Sequence, residues 1–551
     1  MKGSEAIAKI LQAEGIPFVS AYPGGGMHSP VSTIINESAA LGLRTILPRT
    51  ERGGTNIADG YARTSGKVGV NALTSGPGVE NAFAGIAQAY ADNSPLLVLA
   101  GQARRLRLGA GSPNNDFNAL TVYTHITKWA ERINYAQRVP EFLRRAFTYL
   151  RSSRSGPVFL EMPYEVALET FDDDAYTYRP IRGWRSGGDP HDVEVAVRAL
   201  VHAKHPMIHA GEGVFYAQAW NDLQTFAELL QVPVMTSLKG KGVFPETHPL
   251  ALGVSGRTVN DAGRQFLGKA DVIFAIGASL SRGPGIQIPA GPTLIHSTID
   301  EYPINKDYWS DHIIIGDAKL VLQQCIAEVR RQVREQGRPV NTKLQDTIAQ
   351  HKAAWLKKWM PLLTSSEVPI NPYRVVWDMI NTIDATTAIA THDAGWPRDQ
   401  FVPFWSTTQP NGYLGWGHHS TLGFSVAGSI GAKLAEPNKI VVGFVGDGAF
   451  GEGGIEFDTA ARYQLPILMV ITNNSGLGHY SADTPGHWQY AGDYAQIAEG
   501  MGGYAERVEH PDDIIPAIKR ALQAMTTGKP ALLDVITKLE WSSQTSGPQL
   551  K

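Results

Sequence analysis

The chain has one cysteine, Cys325, among 551 residues. That excludes an intrachain disulfide framework and any zinc or iron–sulfur site built from several thiolates. A surplus of either charge is also missing: 49 Lys and Arg stand against 52 Asp and Glu, a net charge of −3. A surface so balanced offers no general attraction to phosphate backbones or anionic membranes, so the expected partner is a small molecule, with no nucleic acid and no membrane. No apolar run reaches the ~20 residues that span a bilayer. The opening "MKGSEAIAKILQAEGI" reads as an amphipathic helix with Ile7, Ile10 and Leu11 on one face, not as a signal peptide, and a soluble, cytoplasmic protein is expected. The patterns HExxH, GxSxG and the nucleotide-binding loop GxxxxGK followed by Ser or Thr are absent, which removes the commonest zinc-protease, hydrolase and P-loop readings.

What the chain does contain is short, continuous apolar runs alternating with helical patterns: "VGVNAL", "PLLVLAG", "GPVFLEMP", "HPMIHAG", "DVIFAIGA", "TLIHSTID", "KIVVGFVG", "PILMVITNN" and "PALLDVIT" among them. Runs without polar alternation predict strands buried on both faces, the mark of parallel sheets, so the fold class is repeated α/β. The length exceeds what one core can organise. Polar, Gly- and Pro-containing breaks at "FDDDAYTYRPIRGWRSGGDP" and between "QGRPVNT" and "TSSEVPINPYR" divide the chain into blocks at 1–170, 190–335 and 365–540, with a tail at 541–551. The three blocks have the size of diverged copies, although no residue pattern proves it. The tail "EWSSQTSGPQLK" has a composition that favours disorder in isolation, with a ligand-ordered lid as the alternative.

The stretch "VGDGAFGEGGIEFDTAARYQLPILMVITNN" predicts strand, helix and strand. Such units bring their strand ends to a common crevice, so Asp447, ending the first strand, and Asn474, ending the second, converge. Gly446 and Gly448 let backbone approach whatever lies there. A carboxylate, an amide oxygen and a carbonyl are hard ligands suited to magnesium carrying a diphosphate.

This "GDG" followed by "NN" resembles the diphosphate motif of thiamine-diphosphate-dependent enzymes. The resemblance implies Asp447, Asn474 and the Gly476 carbonyl as magnesium ligands, and Gly395, Ala449 and Leu477 beside the cofactor. Such a cofactor needs a carboxylate at its pyrimidine nitrogen far from Asp447. "LPRTERGGTNIADGYARTSGKVGV" supplies Glu51, and with "TSGPGVENAFAGIAQAYADNSPLLVLAGQ" it resembles the acetolactate synthase-like branch. By the same resemblance the first block binds pyrimidine, through Glu51, Pro23, Gly25, Thr74 and Asn81, the third binds diphosphate, and the middle is non-catalytic. In "GWGHHSTLGFSVAGSIGAKLAEP", Leu422 matches the wedge that bends the cofactor and the Ser420 carbonyl faces its amino group. The two binding blocks of such proteins meet across a subunit interface, which implies a homodimer or homotetramer.

The reaction must be read from other groups. The "GMV..W" and flavin-contacting "GMHG" segments of acetolactate synthases are replaced here by "LGHYSAD" and "HPLALGVSG", whereas "GDGAFGEGGIEFDTAARYQLPI" is similar to oxalyl-CoA decarboxylases and 2-hydroxyacyl-CoA lyases. The expectation is therefore a carbon–carbon lyase or carboligase acting on a short 2-hydroxyacyl-CoA or 2-oxo acid, through a C2 ylid and an enamine. An acetolactate synthase-like carboligase is the alternative, and a catalytically silent cofactor-binding subunit a second one. Acid–base candidates are His28, Asn115, His418, His419 and His479, each with a plain structural alternative. A competing reading makes His392, His418, His419 and Asp447 a hydrolytic metal centre. In the middle block "IHAGEGVFY" and "SLKGKGVFPE" lack the full GxGxxG spacing; Asp300, after "TLIHST", ends a strand in an ordinary turn or meets a ribose of CoA, ADP or FAD in a nucleotide site there.

Overall fold

The computed structural model describes residues 1–27, 29–110, 117–283, 285–477 and 490–550. Its described strands form three six-stranded sheets, every pairing between them parallel. The first sheet holds β1 (Phe18–Tyr22), β2 (Arg44–Ile46), β3 (Gly69–Leu73), β4 (Leu96–Gln102), β5 (Trp129–Arg132) and β6 (Val158–Pro163), in the order β2-β1-β3-β4-β6-β5. The second holds β7 (Pro206–Ala210), β8 (Val234–Thr236), β9 (Ala251–Val254), β10 (Val272–Ile276), β11 (Thr293–Thr298) and β12 (His312–Ile315), in the order β12-β11-β10-β7-β8-β9. The third holds β13 (Ala388–His392), β14 (Tyr413–Leu414), β15 (Ile440–Gly446), β16 (Ile467–Asn473), β17 (Tyr504–Val508) and β18 (Ala531–Ile536), in the order β14-β13-β15-β16-β18-β17.

The first and third sheets thus have the same order of strands along the chain, and the middle one differs. Central strands such as β4 and β16 are buried along their whole length, as their continuous apolar sequences require. In both matching sheets the order reverses between the first strand and the third. The turns leaving these strands lie outside the same crevice, where ligands of open α/β sheets bind.

Blocks one and three share a core. Phe18, Ile57 and Tyr61 pack with Trp416, Phe424 and Ile430. Helix Glu51–Ser65 crosses helix Phe424–Ala435 at glycines: a β-carbon at Gly60 would overlap the Gly428 carbonyl, and one at Gly431 the Ile57 carbonyl. Only side-chain-free positions allow backbones so close.

All three blocks meet at a buried charge cluster. Arg63 bonds to Asp59 at 2.7 Å and Asp92 at 3.0 Å, Lys239 of the middle block lies 3.6 Å from Asp92, and Gly417 N of the third block donates to Asp92 at 3.2 Å. Burial opposes ionisation of Asp92, yet Arg63 and Lys239 hold its carboxyl well below the usual range.

The tail departs from its composition. Asn371 donates to Glu540 at 2.9 Å, Tyr373 to the Ser542 carbonyl at 2.7 Å and Trp355 to Gln544 at 2.8 Å, and Glu540, Ser542 and Gln544 are buried. Tertiary partners supply what the local sequence lacks. Among the described residues no helix is long and apolar enough to cross a membrane.

Candidate active site

Two groups of side chains gather at the matching crevices. In the first block the turns after β1 and β3 bring Pro23 to Gly25 against Thr74; a β-carbon at Gly24 would stand 2.9 Å from the Thr74 hydroxyl. Glu51 is the first residue of helix Glu51–Ser65, whose N-cap, Thr50, accepts from Gly53 N at 2.8 Å. The Asn81 amide donates to Glu51 Oε2 at 3.3 Å, so Glu51, Thr74 and Asn81 form one cluster, with Glu51 8% exposed.

In the third block, Asp447 opens helix Asp447–Gly453 immediately after β15. Helical structure therefore begins at the acid itself, earlier than the sequence suggested. Asp447 Oδ1 accepts from Gly448 N at 2.9 Å and Oδ2 from Gly476 N at 3.1 Å; the same Gly476 N–H reaches Asn474 Oδ1 at 3.0 Å. One donor shared by both oxygens places Asp447, Asn474 and Gly476 around a single point. Burial pushes the Asp447 carboxyl up to about 6 despite these amide contacts. A buried acid and an amide oxygen with no cationic side chain among their partners, among the described residues, fit a hard divalent ion.

These residues border a cavity of about 550 Å³, lined also by Gly395, Arg398, Leu422, Ala449 and Leu477, with Lys538 to Glu540 from the chain's end. Asp393 builds its rim: this buried carboxylate accepts from Ala394 N (2.7 Å), Gly423 N (3.1 Å) and the Ser425 hydroxyl (2.7 Å), fixing the Gly395 turn and the backbone after Leu422. Arg398 bonds to Asp399 at 2.7 Å and lies 3.5 Å from the Ser420 hydroxyl. Arg398 and Arg257 line both this cavity and an adjoining one of about 250 Å³, which also has Lys239 and Arg282 on its wall.

No described residue of the first block lines the Asp447 cavity. Within one chain Glu51 therefore stands apart from the cavity that Asp447 borders. His418 turns away from the cavity, to the Ala91 carbonyl at 2.9 Å and Asp92 at 3.4 Å, and His419 is exposed. His392 is buried, stacked on Trp416 at 5.3 Å, and pushed down to about 3 by burial. These histidines form no metal-binding group with Asp447 among the described residues, which corrects the hydrolytic reading. His28, Asn115 and His479 lie outside the described residues.

Sequence reasoning passed over Asp393, Arg398 and Arg257. The strand-end "THDAG" containing Asp393 follows β13 as "VGDGA" follows the neighbouring β15, a likeness visible in the sequence. Arg257 follows β9 with no motif around it. In the middle block, Asp300 stands outside the cleft of about 380 Å³ that Gly213, Gly277, Ser279 and Asp317 line.

Comparison with known proteins gives three matches in chain order: thiamine pyrophosphate enzyme, N-terminal TPP binding domain, over 1–122; central domain, over 193–325; and C-terminal TPP binding domain, over 393–535. A probable acetolactate synthase large subunit of Methanocaldococcus jannaschii is 33% identical, covering 97% of this chain and 92% of that protein. The acetolactate synthase isozyme 3 large subunit of Escherichia coli is 28% identical over 97% of this chain and 94% of that protein. A glyoxylate carboligase of Escherichia coli is 29% identical over 97% of this chain and 93% of that protein. These relatives favour the synthase-like alternative over the acyl-CoA lyase.

Proposed function

The chain belongs to the thiamine pyrophosphate enzymes, which form or cleave carbon–carbon bonds, and from that premise we propose that it is a carboligase of short 2-oxo acids, acetolactate synthase-like in its reaction. The observation that carries this reading is the convergence of Asp447 and Asn474 on one Gly476 N–H beside a cavity bordered by Arg398 and Arg257.

When bound, thiamine diphosphate supplies a carbon nucleophile for the substrate carbonyl and a sink for the electron pair left behind. Asp447, Asn474 and the Gly476 carbonyl would hold the magnesium that carries its diphosphate. Gly446 and Gly448 admit the phosphates to the backbone, while Gly395, Leu422, Ala449 and Leu477 shape the wall. Glu51, oriented by Asn81, holds a proton at the pyrimidine nitrogen. Because Glu51 does not reach the Asp447 cavity of its own chain, a second copy completes the site, and a homodimer is the smallest active unit. Arg398 and Arg257 put positive charge where the carboxylate of a 2-oxo acid would lie. The cleft lined by Gly213, Gly277 and Asp317 is the place for a nucleotide if the middle block takes one.

The test is product analysis with magnesium, thiamine diphosphate and pyruvate, alone and with glyoxylate, against a short 2-hydroxyacyl-CoA in parallel. Acetolactate or a glyoxylate-derived ligation product is expected; cleavage of the acyl-CoA with no ligation of either acid would overturn the reading.

A further inference from the structure

Glu456 lies nine residues past Asp447, at the end of the 3-10 turn Gly454–Glu456 that continues from the Asp447 helix. Its carboxylate is 1% exposed and points out of its own block. Oε1 accepts from Thr50 N at 2.9 Å and from the Thr50 hydroxyl at 3.0 Å; Oε2 accepts from Arg49 N at 3.0 Å and from the Thr459 hydroxyl at 2.8 Å. All of these donors except Thr459 belong to the two residues that immediately precede Glu51.

The arrangement is specific in three ways. Thr50 is the N-cap of the Glu51 helix, and its one hydroxyl both accepts from Gly53 N and donates to Glu456, so Glu456 sets the orientation of the cap. The Arg49 and Thr50 amides lie upstream of the helix's own bonding pattern and would lose their acceptor in this partly buried contact if the carboxylate were removed. Gly53 faces the carboxylate so closely that a β-carbon there would overlap it. Only an acceptor with two oxygens satisfies every donor in this pocket.

We propose that Glu456 is a positioning residue for the activating acid: it fixes the first turn of the Glu51 helix against the segment that begins at the metal-binding Asp447. This rests on the reading that Glu51 serves the pyrimidine. Since Glu51 acts on a partner's cavity in that reading, Glu456 ties the metal acid of one site to the pyrimidine acid of the next.

The experiment compares Glu456→Gln with Tyr463→Phe. The second variant removes another bond between the same two blocks, Tyr463 Oη to Leu47 N at 2.8 Å, without touching the cap. Three quantities are read: amide hydrogen exchange at residues 47–54 in the cofactor-free protein, thiamine diphosphate affinity by fluorescence, and exchange of the bound cofactor's C2 proton by NMR. Glu456→Gln keeps the shape but aims an amide donor at backbone N–H groups. It is expected to raise amide exchange at 49–54 and to slow C2 proton exchange roughly 10- to 100-fold, the scale of a misplaced catalytic group, with affinity little changed; Tyr463→Phe should leave C2 exchange at the wild-type rate. Equal behaviour of the two variants, or unaltered C2 exchange in Glu456→Gln, would overturn the proposal. If Glu456→Gln does not fold, Thr459→Val, which frees one side of the carboxylate, must show the same direction of change. Glu51→Gln separates the two levels: unchanged C2 exchange there overturns the proposed function itself, whereas slowed exchange there with a normal Glu456→Gln overturns only this inference.

Discussion

The Asn473 side-chain amide donates to the buried Asp534 carboxylate at 2.9 Å, and its oxygen accepts from Ser475 N at 3.1 Å. The two adjacent asparagines therefore divide the work: Asn473 anchors the loop to β18, and Asn474 presents its oxygen beside Asp447. Asn473→Ala should weaken magnesium-dependent cofactor binding by about 10- to 100-fold, as loss of an outer partner of a metal ligand does. Titration of the cofactor at fixed magnesium checks this; wild-type affinity would show that the loop holds without its anchor.

A site shared between two chains, as proposed, makes complementation decisive. Glu51→Gln and Asp447→Asn should each be inactive alone. Mixed after denaturation and joint refolding, they should regain roughly a quarter of wild-type turnover, because half the dimers are hybrids and each hybrid has one intact site of two. No recovery would mean that each site is built within a chain.

Acid should destabilise the protein through two buried histidines. Burial holds His209 down to about 4 and His392 to about 3, so both are neutral in the fold at pH 5 while an unfolded chain takes up their protons. The depressed values mean that no penalty exists above pH 6.5 and that stability is lost as pH falls from there towards 4, by about 1.4 kcal/mol per histidine per pH unit. Asp447, raised to about 6, acts in the opposite direction over the same range, so urea unfolding at pH 7, 6 and 5 is compared with that of His209→Gln and His392→Gln, and variants with an unchanged slope would contradict the burial of these rings.

At the crossing of helices Glu51–Ser65 and Phe424–Ala435, Gly60→Ala has no room. The expected cost is about 3 kcal/mol, the upper end of the usual range for overpacking, seen in the melting midpoint. Gly15→Ala, where nothing lies near the added carbon, provides a comparison dominated by backbone conformation.

The sequence made the sheets and one half-site legible for a physical reason. Buried parallel strands have to be continuously apolar, and Asp447 and Asn474 are joined by a single strand crossover whose length is visible in the chain. Glu456, Asp393 and Arg398 were not legible, because each acts on backbone or side chains from another segment and carries no local pattern; Glu456 and Thr50 are 406 residues apart. The tail misled for a related reason. Polar residues predict solvent only when no distant Asn371, Tyr373 or Trp355 awaits them.

That last feature ties the tail to the site. Trp355 and Tyr373 have their hydrogen-bond partners at Gln544 and Ser542, and Leu539 and Glu540 wall the cavity. A proteolytic cut after Trp541 would therefore strip two buried aromatic side chains of their acceptors and unpin the strip of chain that walls the Asp447 cavity, so one clip would cost the third block stability and ligand affinity together.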